Sequence, residues 1–460
     1  MYNKDLHIHF MGIGGIGMSG IAHVLRRQGY RISGCDLDLQ QKSISQLQAI
    51  GCEITDHHNA LLCQDQSINV LVYSSAIQKN HPEIVHAKKR GIPVISRALM
   101  LAELMRTKCS IAIAGSHGKT TTTAMVSHIL LQAKLDPTII IGGHLKNIST
   151  NAHYGESNFL VAEADESDRS LLHLHPTLAV ITNIDLEHLD TYKDLEDIID
   201  TFKQFLNNLP FYGKAFMCID DPIIHSLLPL PHIHVISYGL GCNAQIRAEK
   251  IKIESTTSTC IVYQNNKKLG PITVTMAGKH NLLNSLGAIA VALELKVPFH
   301  TIAEALATFE GIDRRFSYHG TYKGAELFDD YAHHPKEIEH CLEVARNRTK
   351  GKLHVIFQPH RFSRTHLLWN DFIKTFSQAS IDNLTVTDIF PASETPIEGV
   401  TSQKLVKELN KHQKNMRASY IPLDDQFKQI IDHINQTIKP NDLVLFLGAG
   451  KIYQIPDNLK

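Results

Sequence analysis

An apolar, β-favouring run, Ile111-Ala112-Ile113-Ala114, stops at Gly115. Ser116-His117-Gly118-Lys119-Thr120-Thr121 follows, and a helical run extends over residues 120–131. Few folds accommodate this order. A strand that ends in a glycine loop and turns directly into a helix belongs to an open α/β sheet, with the loop at the sheet's carboxyl edge. Glycines let backbone N–H groups close around phosphate oxygens, Lys119 can reach terminal phosphates, and the new helix points its positive end at the anion. Thr120 or Thr121 offers a hydroxyl to Mg²⁺. The loop is shorter than G-x-x-x-x-G-K-[ST], since Ile113 occupies the place of its first glycine. A glycine turn that only joins strand to helix is the competing reading; Gly-Lys-Thr directly after a strand speaks for phosphate. Lys119, a loop residue aimed at phosphate, is expected to carry little core packing.

A second glycine loop lies near the start. A strand pattern over residues 6–10 leads into Gly12-Ile13-Gly14-Gly15-Ile16-Gly17, then a helical run over 18–28 and a strand over 30–34 closed by Cys35-Asp36. G-x-G-x-x-G between strand and helix, with an acid about 20 residues on, is a diphosphate-binding pattern in which Asp36 is placed to hold a ribose hydroxyl. It does not say which nucleotide. Further strands are expected over 70–74 and 93–96, and a helix over 98–105.

Length and charge limit the rest. A chain of 460 residues is too long for one ordinary core. Lys+Arg and Asp+Glu are both 46, so no basic excess points to nucleic acid or to an anionic membrane. No apolar run approaches the roughly 20 residues of a membrane span, and the first ten residues do not read as a secretory signal. The eight cysteines contain no C-x-x-C, and the 28 histidines no H-E-x-x-H, which fits reduced thiols in a cytoplasm better than disulfides or a zinc frame.

The chain starts over near residue 107 with the strand before the phosphate loop, and again near 316. The expected domains are 1–106, 107–315 and 316–460, all α/β, with the central sheet mostly parallel. In the central one, an apolar strand runs into Glu163-Ala164-Asp165-Glu166-Ser167-Asp168, where a Mg²⁺ ligand is expected downstream of a phosphate loop; a solvated acidic turn is the alternative. A strand over 178–182 is followed by Asn183, Asp185, Glu187, His188 and Asp190. His280, Asn281 and Asn284 open a long Ala- and Leu-rich helix, where His280 or Asn281 can equally be a helix cap. Arg314-Arg315 lie in a short connection. The last unit has strand patterns over 326–328, 353–357, 384–387 and 443–447. Polar clusters follow their ends: Tyr331 and His333; His360, Arg361 and Arg364; Gly448 and Gly450.

Taken in order, these stretches resemble the Mur ligases: the glycine loop over 11–22, Val72-Tyr73-Ser74-Ser75-Ala76-Ile77, the short phosphate loop, the acids over 161–168, residues 182–192, 278–284, 314–316, 329–335 and 357–365. The resemblance covers the whole chain. It implies a Rossmann-like N-terminal domain, a central phosphate-loop ATPase and a Rossmann-like C-terminal domain presenting an amino acid. Within the family the motifs are most similar to those of members that join L-alanine to the lactyl carboxylate of UDP-N-acetylmuramate through an acyl phosphate. The resemblance then assigns the UDP-sugar to Gly12, Gly14, Gly15, Gly17, Asp36 and Ser74. It assigns ATP to the phosphate loop, His280, Asn281 and Asn284, and Mg²⁺ to Thr120, Glu163 and His188. Lys119, Glu163, His188 and Arg314 become the catalytic candidates, and Tyr331, His360 and Arg364 the amino-acid site. Surface ion pairing is the alternative for Arg361 and Arg364. A cytoplasmic enzyme, monomer or homodimer, with no nucleic-acid or membrane partner is implied. Three positions depart from the family pattern: Leu99 stands where a glutamate is expected, Lys451 where an acid is usual, and Cys35 where serine is common. Rival readings are a nicotinamide-dependent dehydrogenase resting on residues 12–36, a regulatory ATPase without ligase activity, and a recycling ligase that attaches a tripeptide to the same sugar nucleotide.

Overall fold

The computed structural model describes residues 4–56, 65, 67–145, 150–188, 191–392, 394–412 and 417–459; Asp190 lies outside them. The chain forms two compact units, the second consisting mainly of residues 311–460. The first unit holds two sheets. One is five-stranded: β1 (His7–Met11), β2 (Arg31–Cys35), β3 (Glu53–Thr55), β4 (Ile68–Tyr73) and β5 (Val94–Ser96), in the order β3-β2-β1-β4-β5, all parallel. The chain leaves β1 through the glycine loop into the helix Ile16–Arg27. The order reverses on either side of β1, the crevice where ligands sit in such sheets.

The other sheet is ten-stranded. Its strands are β6 (Cys109–Ala114), β7 (Thr138–Leu145), β8 (Thr150–His153), β9 (Phe159–Glu163), β10 (Leu178–Ile181), β11 (Lys214–Cys218), β12 (His234–Gly239), β13 (Ile246–Ile253), β14 (Ser258–Gln264) and β15 (Lys267–Val274). The order is β15-β14-β13-β12-β11-β10-β6-β9-β7-β8. β6 lies between β9 and β10, parallel to both, so the phosphate loop leaves the sheet between the two strand ends that carry the acids and His188. Strands covered on both faces read as continuous apolar runs, as β6 and β10 do. The helix Lys119–Gln132 is buried almost all round, which explains why its sequence shows no polar face.

The two sheets meet through the helix Ile16–Arg27. Gly20 there has no side chain, and a Cβ would lie 3.4 Å from Asn151 and from Ile140. Asn151, 3 % exposed, donates to the Ile16 carbonyl and, at 3.1 Å, to Ser19 Oγ. Arg97 adds a second tie: it packs 3.1 Å from where a Gly17 Cβ would be and pairs with Asp165 at 3.2 Å.

The second unit has a six-stranded sheet: β16 (Ser317–Tyr322), β17 (Ala325–Asp330), β18 (Leu353–Phe357), β19 (Asn383–Val386), β20 (Arg417–Tyr420) and β21 (Leu443–Leu447), in the order β16-β17-β21-β18-β19-β20. β16 is antiparallel to β17 and the other pairs are parallel. Alternate residues point to opposite faces. Leu443, Leu445 and Leu447 therefore join one core with Phe372, Phe376 and Leu405, while Val444 and Phe446 join another with Ile430 and Ile455. Among the described residues no helix is long and apolar enough to cross a membrane, and seven cysteines are unbridged.

Replacing Asn151 by Ala removes the buried tie between the two sheets of the first unit. The expected cost is about 1–3 kcal/mol, read by denaturant unfolding, because a buried amide that donates to the Ile16 carbonyl and to Ser19 Oγ is lost. An unchanged midpoint would mean the sheets are held by apolar contact and by the Arg97–Asp165 pair, without a contribution from Asn151.

Candidate active site

The phosphate loop is shaped by two glycines. Gly115 has φ +134°, and a Cβ there would lie 2.0 Å from Thr182 Oγ1. Gly118 has φ +82° and caps the helix Lys119–Gln132 with no side-chain hydrogen bond, leaving the helix N-terminus open to an anion. The segment after β10 clamps the loop. Ser116 N–H donates to the Asn183 carbonyl at 3.0 Å, His117 N–H to Asn183 Oδ1 at 2.8 Å, and Thr182 Oγ1 to the His117 carbonyl at 2.6 Å. Asp185 N–H donates to Ser116 Oγ at 2.8 Å.

Lys119 Nζ donates to the Gly115 carbonyl at 2.7 Å, the Ser116 carbonyl at 2.9 Å and Glu166 Oε1 at 2.8 Å. Burial opposes the lysine's charge, but the Glu166 carboxylate outweighs it and holds its pKa above the ordinary value. Glu166 is 2 % exposed. The same Oε1 is 3.2 Å from His188 Nε2, and Glu187 Oε2 is 3.7 Å from that nitrogen. Burial disfavours the imidazolium of His188, yet Glu166 and Glu187 raise its pKa. One atom each from Glu166, Glu187 and His188 lie within 4.8 Å of one another. Glu166 Oε2 is buried without a hydrogen-bond partner among the described residues. A sealed carboxylate oxygen beside an imidazole and a second acid suits a hard divalent cation.

Of the three metal candidates, the structure groups His188 with these acids. Glu163 ends β9, its Oε2 standing 2.6 Å from where a Gly142 Cβ would be. Thr120 is the second residue of the phosphate-loop helix. Glu166, Glu187 and Asn183 were visible as polar residues at strand ends, but spacing alone could not rank Glu166 over Glu163. The Tyr192 hydroxyl donates to the Glu166 carbonyl, and Thr191 Oγ1 to the Ser167 carbonyl at 2.7 Å, fixing the acid's backbone. His280 and Asn281 are the second and third residues of the helix Lys279–Glu294, so neither is its cap. Asn284 lies against the phosphate loop, with Oδ1 2.5 Å from where a Gly118 Cβ would be.

In the first glycine loop, Gly12 has φ +73°, and a Cβ there would lie 3.2 Å from Ser74 Cβ. Asp36 Oδ2 accepts the Gly14 N–H at 2.8 Å, and Oδ1 accepts the Asp38 N–H at 3.1 Å. The acid expected to face a ribose thus also braces the loop from behind. Gly15 caps the helix Ile16–Arg27 with no side-chain hydrogen bond, so this N-terminus too is open. Gly17 lies against Arg97.

In the second unit, Arg314 Nη2 donates to the Gly448 carbonyl at 2.8 Å and the Gly450 carbonyl at 3.3 Å. Its guanidinium lies 4.7 Å from the Tyr331 ring centroid and 4.2 Å from that of Tyr453. Arg314 therefore groups with the amino-acid candidates of its own unit. His333 meets Tyr331 edge-on at 5.3 Å and His360 at 5.7 Å, while His360 stacks on Phe390 at 5.4 Å. Arg364 Nη1 is 3.2 Å from His360 Nδ1. Burial, with Arg364, Arg361 and Arg314 nearby, pushes the His360 imidazole down to about 4. Arg361 has φ +70° and pairs with Glu394 at 3.9 Å, the surface pairing weighed as its alternative. Leu99 is exposed on its helix, and Lys451 is exposed just after Gly450.

Three family models match the chain in succession: "Mur ligase family, catalytic domain" over residues 7–109, "Mur ligase middle domain" over 113–292 and "Mur ligase, glutamate ligase domain" over 314–450. A UDP-N-acetylmuramate–L-alanine ligase of Geobacter sp. (strain M21) is 47% identical over 461 residues, covering 100% of this chain and 98% of that protein. The protein of the same name from Geobacter sulfurreducens is 47% identical, over 99% of this chain and 97% of its own. Among solved structures, the UDP-N-acetylmuramate–alanine ligase of Thermotoga maritima superposes with a TM-score of 0.81 at 26% identity, covering 99% of this chain and 98% of that one. A murein peptide ligase of Psychrobacter arcticus shares the fold, with a TM-score of 0.72 at 24% identity over 99% of this chain and 98% of its own.

Two outcomes test this geometry. Lys119→Ala should lower turnover by on the order of a hundredfold or more, since it removes charge from the transition state. Contrary to the expectation of a structurally silent lysine, it should also cost about 3 kcal/mol of stability by stranding Glu166. Adding Glu166→Gln should restore the unfolding midpoint and leave turnover low; a stable single variant would mean Glu166 is solvated. The second concerns pH. An unfolded imidazole takes its proton near 6.5, whereas folded His360 stays neutral down to about 4, so the folded state loses stability as pH falls through that window. His360→Gln should flatten the decline in unfolding free energy across the same range, and parallel curves would exclude the histidine as its source.

Proposed function

The chain belongs to the Mur ligase family, and on that premise we propose that it joins L-alanine to the lactyl carboxylate of UDP-N-acetylmuramate at the expense of ATP, a step of cytoplasmic peptidoglycan precursor synthesis. The observation that carries this reading is Lys119 at a short glycine loop, paired to a buried acid that also meets His188. That arrangement serves phosphoryl transfer; a dehydrogenase would have no use for it. Residues 1–106 then bind the UDP-sugar through the first glycine loop, 107–315 bind ATP, and 316–460 bind the amino acid.

In this mechanism the open helix N-terminus at Gly118 and the N–H groups of the phosphate loop hold the ATP phosphates. Lys119 exchanges Glu166 for phosphate oxygens and neutralises the charge that builds as a carboxylate oxygen attacks the γ-phosphorus. Glu166, Glu187 and His188, with Thr120 at the start of the phosphate-loop helix and Glu163 at the end of β9, would hold Mg²⁺, which when bound supplies further charge neutralisation. The carboxylate becomes an acyl phosphate and ADP leaves. The amine of L-alanine then attacks the acyl carbon and inorganic phosphate departs. Arg314 has its guanidinium fixed by two carbonyls and two tyrosine rings, which suits it to hold an anion with little reorganisation.

Alanine offers a carboxylate and an amine but almost no side chain, so its binding energy must come mainly from the carboxylate. Arg364 supplies a planar fork that matches two oxygens. Purified protein with ATP, Mg²⁺, UDP-N-acetylmuramate and a panel of amino acids and the recycling tripeptide should give a product mass only with the sugar nucleotide and L-alanine or its nearest analogues. Product with the tripeptide alone would assign the recycling activity, and phosphate release without the sugar nucleotide a regulatory ATPase. Arg364→Ala should raise the KM for L-alanine by about tenfold or more while those for ATP and the UDP-sugar move little. Arg364→Lys should recover only part, because an ammonium lacks the fork. If all three constants rise together, Arg364 is structural.

A further inference from the structure

Beneath the helix Pro82–Lys89, on one face of the five-stranded sheet, three side chains with metal-binding chemistry converge: His9 from β1, Cys35 from β2 and Glu83 from the helix. They are 1 %, 0 % and 0 % exposed. β1 and β2 run in parallel register, so His9 stands beside Ser33 and Met11 beside Cys35, all on one face. Glu83 Oε1 is 3.5 Å from His9 Nε2, and Glu83 Oε2 is 3.9 Å from Cys35 Sγ. One donor atom from each of the three lies within 4.8 Å of the other two.

We propose that His9, Cys35 and Glu83 form a buried site for a divalent cation of the zinc class, distinct from the nucleotide-associated acids and independent of the ligase reading. The imidazole is already oriented for this. Its Nδ1 is 2.8 Å from Ser33 Oγ, and that hydroxyl is 2.7 Å from His7 Nε2. A metal-bound histidine is held by a hydrogen bond at its other nitrogen in just this manner. The nitrogen that faces the carboxylate, Nε2, is buried with no hydrogen-bond partner among the described residues. Tetrahedral zinc, with bonds of about 2.0–2.1 Å to N and O and about 2.3 Å to S, spaces its ligands about 3.3–3.6 Å apart. The His9–Glu83 and Cys35–Glu83 separations, 3.5 and 3.9 Å, need to close by only a few tenths of an ångström, and His9 and Cys35 approach from within 4.8 Å.

Charge favours the same occupant. A thiolate and a carboxylate carry two negative charges, and a divalent cation makes the cluster neutral in an interior where isolated charges are costly. Binding releases the thiol proton to solvent, forms the metal–sulfur bond and needs no oxidant or reductant. The Cys35 carbonyl accepts the Gly12 N–H at 2.8 Å and the Ile13 N–H at 3.1 Å. An ion on Cys35 would therefore stiffen the glycine loop from behind. Serine at this position offers no thiolate, so the site depends on the cysteine this chain carries.

The three side chains are sealed from solvent, so the ion enters as the chain folds. The test is to express the full chain in minimal medium supplemented with Zn²⁺ or Co²⁺, wash it with EDTA to strip exposed sites, and measure metal content. Wild type should retain about one equivalent, and Cys35→Ser less than about a tenth of that. The cobalt protein should show a thiolate-to-cobalt charge-transfer band that Cys35→Ser lacks, with circular dichroism reporting the variant's fold. Glu83→Gln, if folded, should lose metal as well. Equal metal in wild type and Cys35→Ser, or a washed wild-type protein with no metal and no band, overturns the site. The second result does so even if neither variant folds.

Discussion

The first unit depends on a buried ion pair. Lys119 and Glu166 face each other at 2.8 Å, with side chains 18% and 3% exposed. Taking both from water is expensive, and the pair survives because each partner is also anchored elsewhere: Lys119 on two loop carbonyls, Glu166 through the backbone bonds from Tyr192 and beside His188. The consequence is functional. The loop is preformed with its lysine aimed inward and its positive charge balanced, so an arriving phosphate replaces one anion by another and little reorganisation is left for the reaction itself. The acid released from the lysine stays beside His188 and Glu187, where a cation would sit.

The second unit uses a different economy. Its site cations rest mainly on aromatic rings and carbonyls, with a carboxylate at a longer distance: Arg314 lies between Tyr331 and Tyr453 with Asp329 Oδ2 3.8 Å from its Nε, Arg364 lies against His360, and His360 stacks on Phe390. Guanidinium groups fixed this way keep their charge available to an incoming anion. The neutral His360 fits the same scheme, because a protonated ring among three arginines would repel the positively charged group of an amino acid.

The two glycine loops were legible because their chemistry is local. Strand, glycine turn and helix follow one another within a few residues, and Gly115, Gly118 and Gly12 each prove to have positive φ. The parallel strands β6, β10 and β21 were legible as apolar runs, and β1 and β18 as shorter apolar patterns interrupted by His7, His9 and His354. The strands β11 to β15 were not read. β14 buries alternate residues only, and the turn at Asn265-Asn266, both at positive φ, is the signal that would have exposed the hairpin. Within the site, one-dimensional spacing found the acidic strand end but not which acid meets the lysine. Glu163 lies on the last strand residue and Glu166 three residues beyond it, and only the turn after β9 brings the latter back to Lys119. Arg97 was likewise invisible, since its partner Asp165 is 68 residues away.

The central claim is that a carboxylate oxygen is phosphorylated and then leaves with phosphate. UDP-N-acetylmuramate labelled with ¹⁸O in its lactyl carboxylate tests this directly. Turnover with ATP and L-alanine should move one carboxylate oxygen into the released phosphate, detectable by mass or by the isotope shift in its phosphorus resonance. Product formed while the phosphate stays unlabelled would contradict the account, because the carboxyl group would then have been activated some other way.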